Sequence, residues 1–429
     1  MQIPLVILSS VDDNTPFNHK HCNMVICGTV NDNLVLEFIK VMAGKNRFEN
    51  NSYMKHRRRL TSKILLAIIL MPLVAVSQKA VTPPKILMVV SSYGKDGGKT
   101  RPGFEFDEFT QAYLVFTSNG LLVDVASPKG GNAEPDEYNK KKPYNKTILA
   151  NTAVMDLLKN TKPTAAINGA AYDAVYIVGG KGAMFDLPFD PSLQEVISTI
   201  YNKKGIVSAV CHGPAALVNV KLPDGKYLIA DRKVAGFSND EEVMFGKKWK
   251  AEFPFLLEDR LISRAGIYEK SDFMLPHVTV DGQLITGQNP FSTNAIAEAI
   301  VIGLNKKLVM RQPYDDERTM NLVKKVINEN ALDSAKQQIA KDTALYDLEL
   351  MAVYGYYKLL GAKEDLSVVK LGLDIIELTT AYYYNAKLQL ERAGAYKKLG
   401  DVAMAKKLLE QLIQKEPGME AAKKALLEL

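Results

Sequence analysis

The chain has 429 residues, of which 47% are hydrophobic, so it is globular and long enough for two or three folded domains. Its formal charge is +6, but residues 1–77 hold nine Lys and Arg against five Asp and Glu, which leaves only +2 for residues 78–429. This near balance gives no indication of a nucleic-acid partner.

Residues 54–77 have the pattern of a signal peptide. A basic run is followed by thirteen residues without a charge or a hydrogen-bonding side chain, and Ala75-Val76-Ser77 places small residues where a signal peptidase cuts. The apolar stretch is shorter than the roughly 20 residues that span a bilayer, which favours a cleaved signal over a retained anchor. We expect an exported protein, periplasmic or secreted, without a stable membrane span after cleavage; an uncleaved anchor is the alternative.

Residues 1–53 precede this signal and are interpreted as an upstream extension outside the fold. An export signal normally begins at the initiator methionine, for which Met54 is our preferred candidate. The extension contains four side chains that could ligate a metal: His19, His21, Cys22 and Cys27. Their spacing matches no usual zinc site, so neither a metal nor a cofactor is predicted. Without this segment Cys211 is the only cysteine, which excludes an internal disulfide.

Residues 80–305 alternate strand and helix patterns, which indicates an α/β domain. Asp190 and Pro191 predict the start of a helix that Gly205 ends, and VTVDGQLITG (278–287) predicts a hairpin. Four apolar, β-branched runs predict buried parallel strands: KILMVVSS (85–92), LLVDVASP (121–128), AVYIVGG (174–180) and IVSAV (206–210). The expected fold is a doubly wound, mostly parallel, flavodoxin-like sheet with its reactive groups at the carboxyl ends of the strands.

The stretch IVSAVCHGPAAL (206–217) predicts a strand, a tight turn and a helix, with Cys211 at the turn. A cysteine in such surroundings is often only a small core residue. Here the turn would instead lift the sulfur to a helix N-terminus, where the dipole and unpaired N–H groups favour a thiolate. The same geometry is found in nucleophile elbows, so the pattern indicates that Cys211 carries chemistry.

Six stretches in sequence order resemble the motifs of the ThiJ/PfpI superfamily, within the class I glutamine amidotransferase-like fold. They are GFEFDEFTQAY, ASPKGGNAEPD, IVGGKGAMFDLP, AVCHGPAAL, AGFSNDEE and DGQLITGQNP. The resemblance covers about 225 residues, and six motifs in the same order over that length are not expected by chance. The branch it indicates contains the glutathione-independent glyoxalases (glyoxalase III, or D-lactate dehydratase) and related chaperone-like and proposed deglycase proteins.

The resemblance implies a catalytic set. Cys211 matches the nucleophile and His212 follows it directly, as in the glyoxalase branch. Glu108 matches the buried glutamate of the family, because it lies five residues after Gly103; Asp107 is the neighbouring alternative in the same loop.

Two further roles follow from the same resemblance. Gly180 and the backbone N–H of His212 would form an oxyanion pocket. Glu242 aligns with the acidic residue that orients the histidine in some members, with Glu241 as a less favoured register. Taken one at a time, each of these residues also has an ordinary structural explanation.

The chain departs from the family pattern at two positions. Lys181 stands where members often have histidine, and Ala112 replaces a proline. Lys181 would lower the thiol pKa if it pointed inward, but lysine is usually exposed, so we expect it in solvent. His277 lies outside every motif and is interpreted as structural.

The resemblance implies an enzyme that converts methylglyoxal, or a related reactive dicarbonyl, to a 2-hydroxy acid. A Cys211 hemithioacetal would form, His212 or Glu108 would move a proton from C1 to C2, and hydrolysis would release lactate. Neither glutathione nor metal is required. The alternative is a stress chaperone or protein-binding module; a protein deglycase or a peptidase is less favoured.

After residue 305 the composition changes to Leu, Lys, Glu, Ala and Tyr at helical spacing. We assign residues 306–345 to a helical linker and residues 346–429 to an all-α domain. YKLLG (357–361) recurs as YKKLG (396–400), and the second copy resembles a tetratricopeptide repeat at Tyr396, Gly400, Ala405, Leu409 and Pro417. Two copies are fewer than a solenoid usually needs, so these helices should also use residues 315–345 or pack on the α/β domain. Peptide binding and a stabilising role are equally open, and so is a homodimer.

Overall fold

The structure is a computed structural model that describes residues 82–429. The predicted signal peptide (54–77) and the predicted upstream extension (1–53), with its His and Cys residues, lie outside this range. Among residues 82–429 no helix combines the length and the hydropathy that crossing a bilayer requires.

The strands of the described range form one large sheet and one small one. They are β1 (Lys85–Val89), β2 (Leu122–Ser127), β3 (Lys162–Pro163), β4 (Ala174–Ile177), β5 (Ile206–Val210), β6 (Lys233–Val234), β7 (Ile267–Tyr268), β8 (Val278–Asp281) and β9 (Leu284–Gly287). The large sheet has the order β3-β2-β1-β4-β5-β9-β8, and only β8 runs antiparallel to its neighbour. Strands β6 and β7 pair separately.

Fifteen α-helices lie within the described residues. They are α1 (Phe106–Ser118), α2 (Pro143–Leu149), α3 (Thr152–Lys159), α4 (Ala183–Asp186), α5 (Pro191–Asn202), α6 (Asn239–Phe245), α7 (Leu257–Ser263), α8 (Thr293–Gly303), α9 (Asp315–Glu329), α10 (Leu332–Lys341), α11 (Leu348–Gly361), α12 (Leu366–Glu377), α13 (Ala386–Lys398), α14 (Val402–Lys415) and α15 (Glu420–Leu427). Short 3₁₀ segments occur between them, of which Gly213–Leu217 matters for the site. The predicted class, a mostly parallel sheet followed by an all-helical region, is confirmed.

The four predicted strands form β1, β2, β4 and β5. Strands β4 and β5 are buried along their whole length, which explains why their sequences show no polar alternation. The predicted hairpin forms β8 and β9, and β9 extends the sheet by pairing with β5. Each predicted run except IVSAV is longer than its strand, because its last residues, and in β2 also Leu121, lie in the adjoining loops.

Helix α5 begins as the sequence predicts. Asp190 Oδ1 accepts hydrogen bonds from the N–H groups of Ser192 and Leu193 at 3.0 and 3.2 Å, a cap that contributes about 1 kcal/mol. The helix ends at Asn202, three residues before Gly205, and Lys204 then takes the left-handed conformation, with φ of 70°. Gly205 is required for space instead: a Cβ there would lie 2.7 Å from Ile200 Cγ2.

The helical region packs on the α/β part through a shared hydrophobic core. Phe273, Met274 and Leu275 come from the α/β part and lie against helices α9 to α12. The buried residues that these helices and the residue after α12 contribute are Met320, Leu322, Val323, Val326, Ala335, Ile339, Met351, Tyr354, Ile375 and Leu378. The sequence analysis expected the repeat-like helices to pack on residues 315–345 or on the α/β domain. Both contacts occur, because residues of each take part in this core.

Helices α11 to α15 pack in sequence order, α11 on α12 and α13 on α14. Helices α11 and α12 approach closely at Gly355, where a Cβ would lie 2.9 Å from the carbonyl oxygen of Gly372. In the second copy of the repeated segment Ala405 and Leu409 are buried. The tetratricopeptide interpretation and the division at residue 345 stay predictions.

Candidate functional site

Cys211 sits at a strained turn directly after β5. Its φ is 58°, in the left-handed region that costs a residue with a side chain about 1–2 kcal/mol. Two backbone hydrogen bonds hold the turn: Cys211 N–H donates to the Gly287 carbonyl at 2.9 Å, and Phe237 N–H donates to the Cys211 carbonyl at 2.8 Å. The turn places Sγ at the carboxyl edge of the sheet, between β4 and β9.

The structure corrects the expected state of the thiol. The segment after Cys211 is a 3₁₀ helix of five residues, Gly213–Leu217, and not a long helix with a full dipole. Burial and the neighbouring Glu108 charge raise the pKa of the Cys211 thiol well above its ordinary value. The resting site therefore holds a thiol, and a base must remove its proton.

His212 is placed to act as that base. Its Nδ1 lies 3.3 Å from Cys211 Sγ, and its Nε2 lies 2.7 Å from Glu242 Oε1. Because a carboxylate only accepts hydrogen bonds, the ring proton is on Nε2 and the lone pair of Nδ1 faces the sulfur. The imidazole also stacks on Phe237, with ring centroids 4.4 Å apart, so its orientation is fixed. His212 and Glu242 are both buried.

Glu108 lies beneath the sulfur, on the first turn of α1. It is fully buried, and its Oε2 accepts a hydrogen bond of 2.6 Å from the N–H of Gly179. Burial, together with the charge of Glu105, raises the pKa of Glu108 well above its ordinary value. Its other carboxyl oxygen, Oε1, is buried without a hydrogen-bond partner among the described residues, and Glu108 lies close enough to Cys211 for each group to shift the pKa of the other. Both shifts favour the uncharged forms of Glu108 and Cys211.

Two glycines after β4 make room for this contact. A Cβ at Gly179 would lie 2.7 Å from Cys211 Cβ and 2.8 Å from Glu108 Oε2. Gly180 has φ of 91°, and a Cβ there would lie 2.4 Å from the Glu105 nitrogen. The backbone N–H of Gly180 lies close enough to Cys211 to lower the pKa of its thiol. Its position beside the sulfur suits an oxyanion donor.

Lys181 is partly buried and lines the cavity in front of Cys211, which corrects the expectation that it lies in solvent. Its positive charge opposes the raised pKa of Glu105 and of Asp136. Lys181 therefore favours the charged forms of these two carboxyl groups.

A cavity of about 200 Å³ lies in front of Cys211 and His212. Its lining residues are Glu105, Gly180, Lys181, Cys211, His212, Phe237, Glu241, Phe245, Met274, Asn289, Pro290 and Phe291. The walls are mostly apolar, with a few polar side chains among them, as is typical of a small-molecule site. The volume suits a ligand of a few heavy atoms.

A larger cavity of about 480 Å³ shares Glu105, Pro290 and Phe291 with the first one. Its carboxylates include Asp316 and Asp347, which Lys142 pairs at 3.2 and 3.0 Å. It contains no nucleophile, so the smaller cavity is the candidate active site.

The remaining predicted positions do not contact the sulfur. Asp107 faces away toward Asn145 and Tyr144. Glu241 is buried but accepts from Asn289 Nδ2 and Met274 N–H, at 2.9 and 3.0 Å, and so supports the cavity wall. His277 contacts Ser271, and Ala112 is a buried core residue of α1. The structure thus brings Glu108, rather than Asp107, and Glu242, rather than Glu241, to the Cys-His pair.

Glu105 was not identified from the sequence. It precedes α1 and points into the cavity, where burial and the nearby Asp107 raise its pKa to about 8. The signal available was its place in the GFEFDEF stretch, two residues after Gly103. Sequence spacing gave no reason to prefer it over the other acidic residues there.

We expect Glu105→Gln to stabilise the protein more at pH 8 than at pH 5. The unfolded chain releases this proton near pH 4.5, whereas the folded chain keeps it to about pH 8. Between these values the folded state binds more protons, so its stability falls as pH rises. The amide removes this slope, and the gain should differ by about 2 kcal/mol between the two pH values, because Asp107 and Asp136 share the effect.

The measurement is urea unfolding of the parent and the variant at both pH values. Glu137→Gln, which changes an exposed carboxylate in a neighbouring loop, is the control. An equal effect of Glu105→Gln at pH 5 and pH 8 would contradict the raised pKa.

Comparison with known proteins places this geometry in context. The chain matches the DJ-1/PfpI family over residues 100–302. It is 32% identical over 241 residues to the glutathione-independent glyoxalase hsp3101 of Schizosaccharomyces pombe, covering 51% of this chain and 94% of that protein. It is 31% identical over 233 residues to glyoxalase 3 of Candida albicans, covering 51% and 97%. The crystal structure of glyoxalase III from Candida albicans is 27% identical, covers 51% of this chain and 97% of its own, and has a TM-score of 0.48.

Proposed function

The chain belongs to the DJ-1/PfpI family, and we propose that it is a glyoxalase III-type enzyme that converts methylglyoxal, or a related small dicarbonyl, to a 2-hydroxy acid without glutathione. The observation that carries this proposal is the Cys211–His212–Glu242 arrangement, with Sγ 3.3 Å from Nδ1 and Nε2 2.7 Å from the carboxylate. The names of the relatives support the reaction class. The small apolar cavity supports the size of the substrate.

The first step is addition of the sulfur to the aldehyde. His212 Nδ1 takes the thiol proton, and Glu242 stabilises the resulting imidazolium. The sulfur bonds to C1, and the carbonyl electrons move to oxygen. The Gly180 N–H lies beside the sulfur and stabilises this oxyanion, which then receives the proton from His212. The product is a neutral hemithioacetal.

The second step moves hydrogen from C1 to C2. His212, neutral again, removes the C1 proton, and the electrons move to the C2 oxygen to give an enediolate. The C1 hydroxyl passes its proton to the C2 oxygen, and the imidazolium returns its proton to C2. The C1 hydroxyl becomes a carbonyl, which gives a thioester of the 2-hydroxy acid. Water then attacks the thioester, releases lactate and restores the thiol, so that methylglyoxal and one water become one lactic acid. Glu108 remains protonated and donates to the sulfur.

Lactate production by the purified full chain tests the proposal. Methylglyoxal is supplied without glutathione, and lactate is measured with a stereospecific dehydrogenase. A parallel reaction contains added glutathione. We expect turnover that is independent of glutathione. A correctly folded protein that forms no lactate in either reaction would contradict the proposal and favour the chaperone or binding alternative.

We also propose that the chain is exported and that residues 54–77 are removed. The sequence pattern supports this proposal: a basic run, an apolar stretch and small residues at the cleavage position. Mass spectrometry of the mature N-terminus tests it, and a retained residue 1 in an exported protein would contradict it. The binding of a protein partner by the helical region and a homodimer stay predictions.

A further inference from the structure

Helix α11 presents three side chains on one face. Tyr354, Tyr357 and Lys358 are spaced at i, i+3 and i+4, which places them together on the helix surface. We name this set the α11 face. Tyr357 and Lys358 begin the YKLLG segment, whose second copy is YKKLG (396–400). In the folded chain the α11 face turns toward the α/β part.

The first contact of the α11 face is with the loop 271–275. The hydroxyl of Tyr354 donates to Asp272 Oδ2 at 3.2 Å, and Lys358 forms an ion pair with the same carboxylate. Phe273 stacks on the Tyr354 ring, with centroids 5.0 Å apart and planes 18° from parallel. Lys358 also lies over the Phe273 ring. Two successive residues of the loop are therefore held by one helix.

The next residue of that loop is part of the catalytic cavity wall. Met274 has φ of 59°, an unfavourable conformation for a side chain of its size, which persists only when its surroundings fix it. On the cavity side, its N–H donates to Glu241 Oε1 at 3.0 Å. On the other side, the α11 face holds Asp272 and Phe273. The position of Met274 in the cavity thus depends on both contacts.

The second contact of the α11 face is with the end of α6. The Tyr357 ring meets Phe245 edge to face, with centroids 5.0 Å apart and an interplanar angle of 76°. Phe245 is the last residue of α6 and lines the cavity in front of Cys211. The same helix carries Glu242, which binds His212. The α11 face therefore supports two separate walls of the cavity, Met274 and Phe245.

We propose that the α11 face determines the substrate size of the Cys211 site, so that small aliphatic dicarbonyls are accepted and aryl dicarbonyls are excluded. This inference rests on the proposed function. Helix α11 would then contribute to the reaction that the α/β part catalyses, because it supports Phe245 and Met274 in the cavity wall. Tyr354, Tyr357 and Lys358 are positioning residues, since they contact the wall and not the reacting atoms.

The test compares methylglyoxal with phenylglyoxal as substrates of the full chain. Tyr357→Ala removes the ring behind Phe245, and the ratio of kcat/KM for phenylglyoxal over methylglyoxal should rise about tenfold, a typical discrimination by a hydrophobic pocket. Tyr357→Phe keeps the ring contact and should keep the parental ratio. Tyr396→Ala is the matched control, because this tyrosine opens the second copy of the repeat and contacts Glu377.

A second variant acts through the other contact. Lys358→Met removes the charge that holds Asp272 but preserves most of the side-chain volume, so it should loosen Met274 and raise the ratio in the same direction. Its control is Lys397→Met, in the second copy, where the lysine donates to the Glu428 carbonyl. Circular dichroism establishes that each variant is folded. Ratios that stay parental in folded Tyr357→Ala and Lys358→Met would overturn the proposal.

Alkylation of Cys211 separates this inference from the proposed function. Iodoacetamide is a small probe and N-phenylmaleimide a large aryl probe, and mass spectrometry of the Cys211 peptide gives both rates without any turnover. We expect Tyr357→Ala to raise the aryl rate relative to the small-probe rate by about tenfold, as for the substrates. If the parent forms no lactate but Tyr357→Ala raises this ratio, the proposed function is contradicted, whereas the proposed role of the α11 face in limiting ligand size is supported. An unchanged ratio in Tyr357→Ala contradicts the proposed role of the α11 face in limiting ligand size.

Discussion

Replacing Cys211 with serine is expected to lower lactate formation from methylglyoxal by at least about 10⁴-fold, because the nucleophile forms the bond on which every later step depends. Serine has nearly the same size, so the packing in this buried turn is preserved. Its hydroxyl is a much weaker acid than a thiol, and His212 at 3.3 Å could not generate the alkoxide in a site that already disfavours charge. The effect should therefore be on kcat.

The control is Ser208→Ala, which changes a buried hydroxyl on the same strand, three residues before Cys211. This variant should keep most of the activity. Thermal unfolding of the serine variant should give a midpoint close to that of the parent. Residual activity of Cys211→Ser within about tenfold of the parent would contradict a covalent mechanism, since loss of a true nucleophile costs far more.

The sequence predicted the α/β fold well because its strong signals are local. Strands β4 and β5 are continuous apolar runs buried on both faces, and the Asp190-Pro191 pair marks a helix start whatever surrounds it. The turn at Cys211 was also visible, because Gly213 and Pro214 directly follow an apolar strand. These features depend on neighbours within a few residues.

The features that the sequence did not predict depend on contacts between distant parts of the chain. Glu105 lines the cavity only because the loops after β4 and β5 meet it, and sequence gave no reason to prefer it to Asp107. Met274 follows no motif, yet it forms a cavity wall because helix α11, about 80 residues later, holds the loop beside it. The raised pKa of Cys211 likewise follows from burial, which no local pattern reports.

Glu242→Gln is expected to lower kcat by about 10³-fold, with little change in KM, by reversing the tautomer of His212. The parental carboxylate accepts the Nε2 proton at 2.7 Å and leaves Nδ1 free to take the thiol proton. A glutamine amide can instead donate to Nε2, which moves the ring proton to Nδ1 and points it at the sulfur. The base is then blocked although every side chain keeps its place.

The matched control is Asp240→Asn, the same change of charge on an exposed residue of α6. Iodoacetamide alkylation gives an independent readout, because a blocked base should also slow the reaction of Cys211 at neutral pH. If Glu242→Gln retained both turnover and thiol reactivity, the proton of Cys211 would have to leave by another route. Glu108, the other carboxyl group close to the sulfur, would then be the base, which would require it to be ionised and not protonated as proposed above.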